Sequence, residues 1–110
     1  MSHRGRVLVI EGDARVRAAI AHGLEDEGAE VIVASDGRDG LARLEAGAEP
    51  SVVLVDVRRP RLGGAAFVEE VRADPRFEHL PIITMSGAAQ RRPADLEDLL
   101  GIALSLLPRA

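Results

Sequence analysis

The sequence predicts an α/β fold, a doubly wound parallel sheet with helices on both faces, and three observations predict it. Short, nearly continuous apolar runs recur four times. Between them the apolar residues shift to helical spacing, giving the order βαβαβαβ. The strand runs lack the alternation of a sheet with one wet face, so both faces are covered, and right-handed crossovers put the helices there.

The first strand is "RVLVIE", residues 6–11, a β-branched run that ends in an acid. Residues 14–28 then space Val16, Ala19, Ile20, Gly23 and Leu24 as one face of a helix that Gly28 closes. "EVIVAS" (30–35) is the second strand, and Leu41 and Leu44 mark the inner face of a second helix ending at Gly47. "SVVLVD" (51–56) is the third strand and "FVEEVRAD" (67–74) a third helix stopped by Pro75. "PIITMS" (81–86) is the fourth strand. Residues 94–107 carry Leu96, Leu99, Leu100, Ala103, Leu106 and Leu107 at helical intervals and form the last helix.

Composition narrows the function. A chain of 110 residues, 46% hydrophobic, implies one domain spanning 1–110 with a real core. A net charge of -4, with Arg interleaved among Asp and Glu, gives no basic stripe for nucleic acid, and no apolar run is long enough to span a membrane. The chain has no cysteine for a disulfide or thiolate metal site, and "MSHRGR" lacks a signal peptide's apolar stretch, so a cytoplasmic protein is expected. Aromatic residues make up 2%, so the core is aliphatic and stacking on bases is not expected. His3, His22 and His79 are scattered and read as surface residues, and neither "GxxxxGK" nor "GxGxxG" occurs.

Ligands of such open sheets bind at the carboxyl ends of the strands, where strand order reverses. Glu11, Asp56 and Ser86 stand at three such ends, with Asp13 two residues beyond Glu11. Each has a plain alternative: Asp13 as a helix cap, Ser86 as a strand end, Asp56 as the partner of Arg58 or Arg59. Together they suggest handling of a phosphoryl group with Mg²⁺, which takes one or two carboxylates plus waters and phosphate oxygens.

At these residues the sequence resembles the receiver domain of bacterial two-component response regulators, through "VLVIEGDARVR", "VVLVDVRRPRLGG" and "LPIITMSGA". The resemblance implies a flavodoxin-like receiver fold with strand order 2-1-3-4. It makes Asp56 the acceptor of a phosphoryl group from a histidine kinase or phosphotransfer protein, and Ser86 the switch hydroxyl. It also makes Glu11, Asp56 and the backbone carbonyl of Arg58 ligands of Mg²⁺, and matches Pro60 and Gly64 to the loop after the acceptor. No enzyme in the ordinary sense is implied.

Three departures from the family pattern stand out. Gly12 occupies the position of the second acid, which predicts weak or absent Mg²⁺ binding unless Asp13 takes part. Only residues 87–90 lie between Ser86 and "RRP", too few for the usual fourth helix and fifth strand, so Arg92 would stand where the family has Lys. No aromatic residue follows Phe77, so the family's aromatic switch is absent. The alternative function is therefore a degenerate pseudo-receiver that binds a downstream protein independently of phosphorylation. The open edge of the fourth strand and the surplus apolar residues of the last helix, Ile102 and Leu104, predict a homodimer through those two elements.

Overall fold

A computed structural model describes residues 5–85 and 93–108. Strands β1 (Arg6–Ile10), β2 (Glu30–Ala34), β3 (Val52–Asp56) and β4 (Ile82–Met85) form one parallel sheet in the order β2-β1-β3-β4. Helices α1 (Ala14–Asp26), α2 (Gly37–Glu45) and α3 (Gly64–Ala73) are the crossovers, and α4 (Pro93–Ser105) follows the last strand. The expected fold class and strand order are those observed. Seven residues separate β4 from α4, fewer than a crossover requires, and no fifth strand occurs among the described residues.

Alternate residues of each strand feed two cores. Val7, Val9, Val52, Leu54 and Met85 meet Ile20 and Leu24 of α1 and Leu99, Ala103 and Leu107 beyond them. Leu8, Ile10, Val53 and Val55 meet Leu44 of α2 and Phe67 and Val71 of α3. Every residue of β3 is buried, as the unbroken apolar run required. Glycine closes α1 and α2 in the same way. Gly28 and Gly47 take φ +89° and +87°. The amide after each then reaches back across the last turn, Ala29 to the Leu24 carbonyl and Ala48 to that of Arg43, both at 3.1 Å.

The structure shifts several sequence expectations. Ala19 is exposed and Ala21 is buried. The third helix begins at Gly64 rather than 67, and past Pro75 the chain makes a further 3₁₀ turn, Pro75–Phe77. Ile82 and Ile83 are half-buried, and only Met85 of β4 is fully covered, because β4, like β2, is an edge of the described sheet. Leu106, one residue past α4, is exposed together with Ile102 of the helix. His22 and His79 are exposed as expected, and His3 lies outside the described residues.

Candidate functional site

Parallel register brings the two acids together. Ile10 is level with Val55, so one residue further Glu11 and Asp56 leave adjacent strands side by side. Both are buried, at 0% and 1% exposure, the two charged residues that the described core encloses. Each accepts a hydrogen bond from an amide two residues on. Glu11 Oε2 accepts from the Asp13 N–H at 2.9 Å, and Asp56 Oδ1 from the Arg58 N–H at 2.9 Å. Burial pushes the Glu11 carboxyl above its ordinary value; the Asp13 N–H opposes this and the charge of Asp56 adds to it.

Asp56 has a second partner. Arg58 turns its side chain back, and Nε lies 3.3 Å from Asp56 Oδ2. The same residue thus donates to both oxygens, once through its backbone and once through its side chain. The bland alternative weighed from sequence is realised for Arg58. Arg59 is exposed and exerts its charge on Asp13 instead. A third guanidinium sits behind Glu11, where Arg17 Nη1 donates to the Glu11 carbonyl at 2.8 Å.

Asp13 does not join the cluster. Its Oδ1 accepts from the Arg15 and Val16 amides at 2.9 and 3.2 Å, capping α1, and those two bonds hold its carboxyl below the ordinary range. Of the two readings of Asp13, helix cap or substitute for the acid missing at Gly12, its hydrogen bonds are those of the cap. At Gly12 itself, a Cβ would stand 2.8 and 2.9 Å from Leu62 Cδ1 and Cδ2. Leu62 lies where the missing acid's side chain would begin.

The loop that delivers Arg58 and Leu62 is held by glycines. Gly63 takes φ +68°, a conformation cheap only for glycine. The next residue leaves no room for a side chain, since a Cβ on Gly64 would be 2.0 Å from the Asp56 carbonyl oxygen. Ser86 and Arg92, the expected switch hydroxyl and Lys replacement, lie outside the described residues.

These residues do not fit the Mg²⁺ site that the resemblance implied. The second acid is absent with Leu62 in its place, Asp13 caps a helix, and the Arg58 guanidinium already contacts Asp56. Among the described residues no three Asp, Glu or His side chains converge on a common metal position. Sequence reasoning missed Leu62 altogether. One usable signal was also passed over: all 14 basic residues are Arg, so the family's Lys has no lysine counterpart anywhere in the chain.

Residues 7–102 match the family model of the response regulator receiver domain. Chemotaxis protein CheY1 of Helicobacter pylori is 33% identical over 82 residues, 74% of this chain and 66% of that protein. Sensor histidine kinase CheAY of the same organism is 35% identical over 81 residues, 73% of this chain and 10% of that protein. The chain thus spans less than two thirds of the length of either relative. Among solved structures, chemotaxis response regulator CheY4 of Vibrio cholerae superposes with a TM-score of 0.68 at 30% identity, over 90% of this chain and 78% of that one. Among the described residues no helix is long and apolar enough to cross a membrane. A parallel 2-1-3-4 sheet with buried acids at the exits of β1 and β3, matched along nearly its whole length by one family model, belongs to the receiver domain family of response regulators.

Proposed function

We propose that residues 1–110 form one receiver domain, acting in the cytoplasm, that takes a phosphoryl group onto Asp56 from a histidine kinase or phosphotransfer protein. It then signals to a downstream protein partner as a relay component rather than an enzyme. The observation that carries this reading is the Asp56 carboxylate itself, buried at the exit of β3 beside Glu11. A rigid parallel strand holds such an oxygen in line for attack. An Asp56 oxygen attacks phosphorus, a P–O bond forms and the P–N bond to a donor imidazole breaks. The imidazole nitrogen keeps the electron pair and takes a proton from solvent. For this Arg58 must release the attacking oxygen, which its position in an exposed loop permits. Ser86 and Arg92 are the groups in this reading that would hydrogen-bond the phosphoryl oxygens and offset their charge. A kinase partner is supported by a relative that is itself named a sensor histidine kinase.

Incubation with a small-molecule phosphodonor, followed by intact mass, tests the reading. One added phosphoryl group is expected in the wild type and none in Asp56→Asn; unmodified wild type under excess donor would sink it. One observation favours a second reading, a receiver that signals without phosphorylation: both Asp56 oxygens already accept hydrogen bonds from Arg58. In either case the exposed residues of α4 and the rim strand β4 support a homodimer through those elements.

A further inference from the structure

Two carboxylates buried side by side cost several kcal/mol each unless opposite charge comes with them. Glu11 and Asp56 are such a pair. A bound divalent cation is one source of that charge, and the chain provides another. Arg58 Nε stands 3.3 Å from Asp56 Oδ2 while its own amide holds Oδ1 at 2.9 Å, a charge-assisted contact from within the chain.

Leu62 completes the substitution from the same loop. Its two methyl groups cover Gly12 closely enough that a Cβ there would be 2.8 and 2.9 Å from them. The Leu62 amide donates to the Arg59 carbonyl at 3.1 Å, which fixes the turn that carries it. Beyond it Gly64 is pressed against the Asp56 carbonyl, so the loop cannot slide along the strand. Its outer side opens onto a cavity of about 520 Å³ lined by Arg58, Arg59, Arg61 and Leu62.

Resting on the reading of Asp56 as acceptor, we propose that Arg58 and Leu62 together stand in for the family's divalent cation. Arg58 supplies the positive charge at Asp56 as a positioning residue, and Leu62 fills the volume in which a second carboxylate and the ion would lie. The acceptor site is consequently independent of Mg²⁺. Restoring the acid with Gly12→Asp is not enough to create a metal site, because Leu62 must also leave.

The chain has no Trp or Tyr to report binding by fluorescence, so the test is calorimetric titration of MgCl₂ into the full chain, with circular dichroism to verify each variant's fold. Wild type is expected to give no saturable binding up to about 10 mM Mg²⁺. Arg58→Met, which removes the guanidinium beside Asp56, should gain saturable binding. Gly12→Asp/Leu62→Ala should bind at least about tenfold more tightly than Gly12→Asp alone. Wild-type saturation anywhere up to about 10 mM, an upper range that exceeds working hard-cation sites, overturns the proposal. So does an Arg58→Met protein that binds no better than wild type. Should the double variant not fold, the Arg58→Met comparison decides alone. Phosphoryl transfer to Asp56 is measured separately, with donor and either Mg²⁺ or EDTA. Equal modification in both supports the proposal and modification only with Mg²⁺ overturns it. Modification in neither sinks the acceptor reading, and the titrations still judge the metal question.

Discussion

At Gly64 the tolerance of the fold is least. A Cβ there would overlap the Asp56 carbonyl at 2.0 Å, backbone against backbone, and neither side can yield without moving β3. Gly64→Ala is expected to cost about 3 kcal/mol, the upper end of overpacking penalties, read from the urea midpoint. Gly23→Ala is the informative contrast. Its nearest neighbour is Leu100 Cδ1 at 2.4 Å, the end of a flexible side chain, so a much smaller loss is expected. Charge makes a separate prediction. The raised Glu11 carboxyl, caused first by burial, means that the folded state holds this proton better than the unfolded chain does. Its contribution to stability is full below the ordinary value of 4.5 and is lost as pH rises through the raised value. The stability of Glu11→Gln relative to wild type should therefore rise as pH increases above 4.5, and urea midpoints measured at increasing pH test it. Asp13 and Asp74 have the opposite sign. Local hydrogen bonds lower both from 3.8, so their contribution is present above that value and is lost as pH falls.

Among the elements, α4 shows what a single helix can tell. Leu99, Ala103 and Leu107 bury one stripe at 5%, 0% and 6% exposure, whereas Ile102 and Leu106 stay at 53% and 43%. Leu99→Ala should cost about 2–4 kcal/mol through the cavity it leaves, while Ile102→Ala should leave the unfolding midpoint of the isolated chain nearly unchanged. The sequence already pointed to a helix here, but its eight named apolar positions could not say which pair faces outward. Strands were the most legible elements, because runs such as the four apolar residues of Val7–Ile10 and of Val52–Val55 leave little choice of face. Small residues were the least legible. Ala19 and Ala21 exchanged places because alanine suits either side of a helix, and the start of α3 at Gly64-Ala65-Ala66 carries no apolar signal at all. In the site, Glu11 and Asp56 were readable from their position at strand exits. The inward turn of Arg58 and the seat of Leu62 were not, since both depend on the path of a loop that Gly63 and Gly64 set in three dimensions.

At the scale of the whole molecule, the sheet presents β4 as a rim and α4 as a half-apolar cover beside it. A homodimer through these elements is the expected state, and sedimentation at increasing concentration should show the mass rising toward twice that of the chain. Ile102→Glu/Leu106→Glu should return a monomer with its fold intact, whereas Leu100→Glu would strike the packing on Gly23 and is the poorer probe. A concentration-independent monomer mass in wild type would exclude the dimer. The two cores bear on this assembly unequally. Among the described residues the core under α2 and α3 draws nothing from α4, while the opposite core depends on it for Leu99 and Ala103 and for Leu107 just beyond. Hydrogen exchange should accordingly resolve two cooperative units, with α4 and the rim opening ahead of β1, β3 and the α2–α3 layer. The domain then has a permanent half and a detachable half, and a partner competing for the last helix works against the smaller of two opening energies.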